Sequence, residues 1–311
     1  MNSPQEREYV LDDRNVIEWI IGDVHGCLTA LLALEDRARN AIAARGLSTD
    51  RIPRFVLVGD LIDRGPDVES VLIHVREGVE AGSHHCVCGN HESVFLELAD
   101  HFARGRLRQT LRRSPCFVPV EDQASLALGG AADKEALESL AAKTVEDWKN
   151  QGGQATLDAL GLGPDPSTWD LTEGKAADWL AWIAALPLVY SSPAVTVTHA
   201  LATADDVDWA LAESKEATAV PEAATLEDSL QRRALLSTRR RHLEGLLWAR
   251  EALSPWATDR PVHASGHTPL KECLWLEEGR RLLLDTGAVY GNRLSAWSPQ
   301  LGSIITVPTE T

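Results

Sequence analysis

Three short segments of the sequence place ligand-type side chains between glycines, each directly after an apolar run. They are Gly22-Asp23-Val24-His25-Gly26, Gly59-Asp60-Leu61-Ile62-Asp63-Arg64-Gly65 and Gly89-Asn90-His91-Glu92. Two further histidines, His199 and His267, also follow apolar runs. Carboxylate, imidazole and amide donors together suit a borderline divalent ion such as Mn²⁺, Zn²⁺ or Fe, rather than Ca²⁺ or a thiolate-bound metal.

The candidate ligands number six, which is too many for one ion that keeps an open position. They are Asp23, His25, Asp60, Asn90, His199 and His267. Two ions bridged by one carboxylate would use them all, and such a pair can clamp both oxygens of an in-line phosphoryl displacement. Arg64 lies four positions after Asp60 and is placed to hold a negative group. The pattern therefore predicts a dimetal site that faces a phosphate.

The elements that must position these residues alternate between strands and helices. Apolar runs at residues 16–21, 55–58 and 84–88 predict strands, and each is followed by apolar residues at helical spacing. Strand, glycine turn and helix thus occur three times in succession. This repetition indicates βαβ architecture with one shared site at the carboxyl ends of the strands.

The C-terminal half is expected to be rich in strands. Runs at 194–199 and 262–268 each end in a candidate ligand, 273–276 and 282–284 predict a hairpin around Glu278-Gly279, and 304–307 predicts a last strand. We expect a second sheet rather than a separate domain. The chain is therefore predicted to form one α/β domain over residues 1–311, with insertions at about 114–147 and 205–242.

Composition limits the partners that the chain can have. With 30 Lys and Arg against 46 Asp and Glu, the formal net charge of −16 argues against indiscriminate binding to nucleic acid or anionic membrane. The five cysteines form no spaced framework, and the charged N-terminus has no apolar leader. We expect a cytoplasmic protein with reduced thiols and with neither nucleic acid nor membrane as a partner.

Taken together, the motifs resemble those of a known family. The three glycine-bounded segments are similar to the signature blocks of the calcineurin-like metallophosphoesterases, and Thr198-His199-Ala200 and Gly266-His267-Thr268 to the two later histidine blocks. Asp63-Arg64-Gly65 resembles the phosphoprotein phosphatase branch, which contains Ser/Thr protein phosphatases and symmetrical diadenosine tetraphosphate hydrolases. The resemblance spans about residues 16–295. It implies a sandwich of two mixed β-sheets flanked by helices, with the dimetal site at strand ends.

The resemblance also implies a role for each ligand. Asp23, His25 and Asp60 would hold one ion, and Asp60 would bridge to a second ion. Asn90, His199 and His267 would complete the second ion. Mn²⁺ is the expected metal, with Zn²⁺ or Fe as alternatives. A hydroxide between the ions would attack phosphorus in line.

The remaining expected site residues are also implied by the resemblance. His91 is similar to the family's general acid, oriented by Asp63, and Arg64 and Arg250 to its phosphate clamps. Residues 285–294 resemble the closing block near the site, in which Tyr290 is a candidate substrate contact. Residues 148–157 resemble a block typical of bacterial members.

Three functions remain open on the sequence. A Ser/Thr phosphoprotein phosphatase is preferred, and a symmetrical diadenosine tetraphosphate hydrolase or a small nucleotide phosphatase is the alternative. An inactive scaffold of the same fold would require a broken ligand set, and the set is complete. We interpret His74 as structural or exposed, His84 as a strand residue, and Cys86 and Cys88 as packing residues. One departure from the family pattern is Leu201, where glycine is expected.

Overall fold

The computed structural model describes residues 15–46, 51–103, 105–119, 122, 142–169, 171–216 and 226–309, without the side chains of 214–216 and 226–233. Within these residues the strands form two mixed five-stranded sheets, and helices flank them. The predicted fold class is therefore confirmed.

The first sheet contains the three strands that precede the glycine-bounded segments. Its order is β10-β9-β1-β2-β3, and β1, β2 and β3 run parallel to one another. The strands are β1 (Val16–Ile21), β2 (Ile52–Leu57), β3 (His84–Cys86), β9 (Arg293–Ser298) and β10 (Ser303–Pro308). Because parallel strands end at one edge, the segments after them that bear Asp23, Asp60 and Asn90 are neighbours.

The second sheet supplies the two later histidines. Its order is β4-β5-β6-β8-β7, and β5, β6 and β8 are parallel. The strands are β4 (Tyr190–Ser191), β5 (Val195–Val197), β6 (Val262–Ser265), β7 (Leu274–Leu276) and β8 (Arg281–Leu283). The predicted hairpin is the antiparallel pair β7–β8. The predicted second sheet exists, but β9 and β10 return to the first sheet, where β9 pairs with β1 and β10 pairs with β9.

Helices cover the outer faces of the sandwich. They are α1 (Leu28–Ala44), α2 (Val68–Glu80), α3 (Asn90–Phe102), α4 (Gly105–Leu111), α5 (Gln154–Leu160), α6 (Lys175–Ala184), α7 (Ala204–Glu216) and α8 (Leu226–Leu247). In α1 the buried residues Leu31, Leu34, Ala38 and Ile42 recur at helical spacing and join the larger core. No helix among the described residues has the length and apolar character needed to span a membrane.

A smaller core lies between the two sheets. It includes Ile20 and Val56 from the first sheet and Val197, Ala264 and Leu282 from the second. These side chains are buried and exclude water between the sheets. The loops that carry ligand-type residues in both sheets consequently meet above this core.

The predicted insertions are only partly described. Within 205–242 lie most of α7 and the first part of α8, and Val207 and Leu236 there are buried in the larger core. Of 114–147, residues 120–121 and 123–141 lie outside the described part of the chain. The single-domain organisation with these insertions remains a prediction.

Candidate dimetal active site

The loops at the sheet edges have an unusual backbone conformation. Positive φ angles occur at His25 (42°), Asp60 (52°), Asp63 (69°), Arg64 (68°) and His267 (66°). These are five of the seven non-glycine residues with positive φ in the described chain. L-residues adopt this region at a cost of roughly 1–2 kcal/mol each, so the surrounding structure must hold them there. The consequence is that adjacent short loops direct polar side chains into one small volume.

Asp60 lies at the centre of that volume. Its Oδ2 is 3.3 Å from His25 Nε2, and its Oδ1 is 3.5 Å from His199 Nε2. Asn90 Oδ1 lies 2.7 Å from His199 Nε2 and 3.0 Å from His267 Nδ1. These five side chains are buried.

Asp23 completes the group of six. Its carboxylate accepts the backbone N–H of His267 at 3.0 and 3.2 Å, and the side chain is buried. With Asp60 and His199 it forms one cluster whose ligand atoms all lie within 4.8 Å of one another, and His25, Asp60 and His91 form a second. The structure therefore brings together all six residues that the sequence predicted, and Asp60 belongs to both clusters.

The hydrogen bonds of two histidines orient them as ligands. His199 Nδ1–H donates to the Val58 carbonyl at 2.9 Å, and His25 Nδ1–H donates to the Ile62 carbonyl at 2.7 Å. In each ring the Nε2 lone pair then faces the centre of the site. The His199 lone pair thus meets the Asn90 carbonyl oxygen, another acceptor, at 2.7 Å. A cation between the two would remove this conflict.

The charges of the site also fit divalent cations. Burial raises the pKa of Asp23 well above its ordinary value, and the nearby carboxylates of Asp285 and Asp60 raise it further. Burial lowers the pKa of His199, and burial together with His199 lowers that of His267 to about 3, so both rings are neutral at pH 7 and could serve as ligands. Converging buried carboxylates and neutral imidazoles are a donor set that fits two divalent ions.

His91 and Asp63 form a buried pair beside Asp60. His91 Nδ1–H donates to Asp63 Oδ2 at 2.5 Å, and its Nε2 lies 3.9 Å from Asp60 Oδ2. Burial alone would lower the pKa of His91, but the carboxylates of Asp60 and Asp63 outweigh it and raise that pKa. A proton on Nε2 would face the centre of the site.

Asp63 is itself held by two residues of the 148–157 block. Trp148 Nε1–H donates to Asp63 Oδ2 at 2.7 Å, and the Thr156 hydroxyl donates to Asp63 Oδ1. The Asp63 backbone N–H donates back to Thr156 Oγ at 3.0 Å. Sequence reasoning noted this block but assigned it no role. Its role here is to fix the carboxylate that orients His91.

Two acidic residues of the site were missed as functional residues. Asp285 directly follows the apolar run 282–284, which ends one residue beyond β8, and it is buried beside Asp23, so the pattern of apolar run followed by aspartate could have identified it. The Glu92 carboxylate accepts the backbone N–H groups of Asp60 (2.9 Å), Leu61 (2.8 Å) and Ile62 (3.2 Å). Glu92 therefore holds the loop that carries Asp60, and burial together with the Asp60 charge raises the pKa of Glu92 to about 7.

The three predicted substrate contacts lie around the site. Arg64 is half-buried, donates from Nε to the Gln151 carbonyl at 3.2 Å and contacts His25. Its guanidinium carbon lies 5.7 Å from the ring centroid of Tyr290, whose exposed fraction is 56%. Arg250 is exposed, and its charge adds to the lowering of the His267 pKa. Their roles toward substrate remain predictions.

The fold and the site together define a metal-dependent phosphoesterase, and comparison with known proteins identifies the family. The sequence pattern of the calcineurin-like phosphoesterases matches residues 19–189, more than half of the chain. The chain therefore belongs to the calcineurin-like phosphoesterase family, whose members are metal-dependent phosphoesterases that typically bind two divalent metals.

Individual relatives are similar only in part or at low identity. Serine/threonine-protein phosphatase 1 of Salmonella typhimurium is 35% identical over 79 residues, which cover 25% of this chain and 31% of that protein. The structure of a candidate diadenosine tetraphosphatase is 20% identical and covers 96% of this chain and 99% of its own, with a TM-score of 0.46. The cold-active protein-tyrosine phosphatase of a Shewanella species is 16% identical, covers 94% and 82%, and has a TM-score of 0.48.

Proposed function

We propose that this phosphoesterase is a Ser/Thr phosphoprotein phosphatase that works with two divalent ions, of which Mn²⁺ is the expected metal. The observation that supports a phosphatase is the convergence of the six ligand-type side chains next to the His91–Asp63 pair. Support for a phosphoprotein substrate comes from the partial similarity to the Salmonella serine/threonine-protein phosphatase.

Each residue would contribute a distinct part of the chemistry. When bound, two divalent ions would activate a water molecule and offset the charge of the phosphoryl group. His91 would give its Nε2 proton to the departing serine or threonine oxygen, while Asp63 fixes the ring. Arg64 and Arg250 would bind phosphoryl oxygens, since a guanidinium can contact two of them at once.

A groove beside Arg64 favours a peptide over a polyphosphate. It has a volume of about 620 Å³ and is lined by Asp67, Glu69 and Asp158 in addition to Arg64. Acidic side chains there would repel the extra phosphates of a dinucleoside polyphosphate and attract basic residues of a phosphopeptide. The groove thus supports phosphopeptides with basic neighbours as the preferred substrates.

The test is turnover of a substrate panel by the full chain, stripped with a chelator and then supplied with Mn²⁺. The panel contains phosphoserine and phosphothreonine peptides with basic or acidic neighbours, diadenosine tetraphosphate and mononucleotides. We expect the highest kcat/KM for the basic phosphopeptides. ADP as the sole product from the dinucleotide, at higher kcat/KM than any peptide, would instead identify the symmetrical hydrolase.

The same experiment addresses the two remaining alternatives. A preference for mononucleotides would identify a small nucleotide phosphatase. An inactive scaffold would turn over nothing in the panel and would bind no ion after Mn²⁺ is restored. Restoration of activity by Zn²⁺ or Fe²⁺ but not by Mn²⁺ would correct the metal assignment and leave the phosphatase assignment intact.

A further inference from the structure

A second cluster of metal-ligand side chains lies outside the active site. Glu35 Oε1 is 2.7 Å from His74 Nε2 and 3.0 Å from His84 Nε2, and the ligand atoms of the three residues all lie within 4.8 Å of one another. Both Nε2 atoms therefore face the same carboxylate oxygen. The two imidazole rings are nearly perpendicular, with centroids 5.2 Å apart. In the candidate dimetal site, the ring centroids of His199 and His267 have a similar spacing of 5.1 Å.

The cluster is separate from the catalytic site. Glu35 belongs to α1, His74 belongs to α2, and His84 is the first residue of β3. The candidate ligand Asn90 follows the other end of β3. Glu35 and His84 are buried, whereas the side chain of His74 is 27% exposed. An ion could therefore reach the cluster from solvent past His74, and water could complete its coordination.

Hydrogen bonds around the cluster orient it toward a cation. The Ser83 hydroxyl lies 3.2 Å from the Gly78 carbonyl and 2.9 Å from His84 Nδ1. When its proton goes to that carbonyl, the oxygen accepts from His84 Nδ1–H. Nε2, which donates to Glu35 Oε1 in the metal-free protein, would give up its proton when a cation binds. At His199, Nδ1–H likewise donates to an oxygen, the Val58 carbonyl. Second-shell bonds of this kind fix the tautomer of metal-binding histidines.

The other oxygen of Glu35 is already engaged. Arg39 donates to Glu35 Oε2 at 2.8 Å, which fixes the carboxylate plane with Oε1 toward His74 and His84. Burial alone would raise the pKa of Glu35, but the hydrogen bonds from His74 and His84 lower it to about 2. The carboxylate is therefore ionised at neutral pH and can bind a cation.

We propose that Glu35, His74 and His84 form a third divalent-cation site, distinct from the catalytic pair and best suited to Zn²⁺. Two imidazoles and one carboxylate are a ligand set that Zn²⁺ adopts in proteins, with water in the fourth position. A bound ion would tie α1, α2 and the start of β3 together on the side of the first sheet away from the substrate. The proposal does not depend on which phosphoester the enzyme hydrolyses.

The test is the zinc stoichiometry of the full chain. Protein stripped with a chelator is equilibrated with Zn²⁺, freed of unbound ion and measured by inductively coupled plasma mass spectrometry. We expect three ions per chain for the wild type and two for Glu35→Gln and for His74→Gln. His85→Gln is the matched control, because His85 adjoins His84 but packs against Tyr190, and it should retain three ions.

Comparison between variants separates this site from the catalytic one. If the dimetal assignment were wrong, the number of zinc ions per chain would change, but wild type and His74→Gln would still differ by one ion. Equal zinc content in wild type, His74→Gln and Glu35→Gln would overturn the proposal and identify a hydrogen-bonded triad that needs no metal. His74→Gln alters a partly exposed side chain, so it keeps the test valid even if Glu35→Gln fails to fold.

A thermal measurement gives an independent readout. With the catalytic site first saturated by Mn²⁺, added Zn²⁺ should raise the Tm of wild type and of His85→Gln by more than that of His74→Gln, because exchange of Mn²⁺ for Zn²⁺ at the catalytic site is common to all three and only the third site differs. An equal rise in all three proteins would contradict the proposed site.

Discussion

His91 shows how a single residue depends on its neighbours. Its Nδ1–H is bound to Asp63, and Asp63 is bound in turn by Trp148 and Thr156. The ring consequently has one orientation, with Nε2 toward Asp60. None of these contacts requires an ion, so the proposed proton donor and the candidate metal ligands can be separated by mutation.

Replacing His91 by Ala tests the proposed proton donor. We expect kcat to fall by ~10²–10⁴-fold, since general acid–base catalysis typically contributes that much. The content of bound Mn²⁺ should not change. Steady-state kinetics and metal analysis provide the measurement.

The matched control for His91 is His101→Ala, because His101 lies near the other end of the same helix α3. It should retain full activity. Loss of an ion in His91→Ala would show that His91 is a ligand instead of a proton donor.

At the scale of elements, the turn before α5 positions Arg64. Gly152 has φ of 104°, its carbonyl accepts the backbone N–H of Arg64 at 2.9 Å, and a Cβ there would lie 2.5 Å from Arg64 Cγ. The close approach of the two backbones requires a residue without a side chain. This segment therefore positions Arg64, the proposed phosphate clamp.

Gly152→Ala should displace Arg64 and lower kcat/KM by about tenfold to a hundredfold, the loss expected when a positioned group moves by ~1 Å. The effect should lie mainly in KM, because the proposed proton donor and metal ligands stay in place. Gly161→Ala is the control: its φ is also positive, at 70°, but no atom lies within 4 Å of the added Cβ. Equal activity in both variants would contradict the positioning role of Gly152.

The packing of α1 against α2 and β3 involves a titratable contact. Relative to an ordinary glutamate, the pKa of Glu35 is lowered to about 2 by His74 and His84 despite burial, and the pKa of His74 is raised by its hydrogen bond to Glu35. The contribution of Glu35 to the free energy of unfolding is complete above the pKa of Glu35 in the unfolded chain, and it is lost as pH falls toward 2. The contribution of His74 to the free energy of unfolding is complete below the pKa of His74 in the unfolded chain. It is lost as pH rises through the higher pKa that His74 has in the folded protein.

Glu35→Gln should therefore destabilise the metal-free protein most between about pH 4.5 and pH 6.5, by about 2–3 kcal/mol. The difference in free energy of unfolding between the variant and wild type should shrink below and above that pH window. Urea unfolding in the presence of a chelator at pH 3, 5.5 and 8.5 provides the measurement. Glu80→Gln, which removes an exposed partner of Arg76, should show no such window, and a pH-independent effect of Glu35→Gln would contradict the prediction.

At the scale of the whole molecule, the two sheets are joined by apolar packing below and by the candidate ligands above. Asp23 and Asp60 come from loops of the first sheet, Asn90 from the start of α3 after β3, and His199 and His267 from loops of the second sheet. Cations bound between them would connect the sheets, and their binding free energy would add to that of folding. Metal content and global stability should change together.

Asp60→Ala should remove both ions, because its carboxylate reaches His25 on one side and His199 on the other. Saturation at 100 times Kd adds ~2.7 kcal/mol for one site, so Mn²⁺ should raise the wild-type Tm by several degrees. The Tm of the variant should not respond. Asp100→Ala removes another buried aspartate, one that pairs with Arg112. It should lower the Tm but keep the response to Mn²⁺; a variant Asp60→Ala that still binds one ion would refute the bridging role.

The sequence by itself determined the chemistry and the β-α-β order. Apolar runs that end in glycine and a ligand residue predicted the strands, their shared edge and the residues that meet there. This was possible because the side-chain periodicity of a strand and the point at which the strand ends are properties of the local sequence. The tertiary structure decided which residues support that site and which distant residues form a second cluster. It placed Glu92 behind Asp60, Trp148 behind Asp63, and Glu35 against His74 and His84.

It also returned β9 and β10 to the first sheet. These outcomes depend on which distant surfaces pack together, and spacing along the chain does not encode that choice, since the apolar residues of a strand fit either sheet equally well.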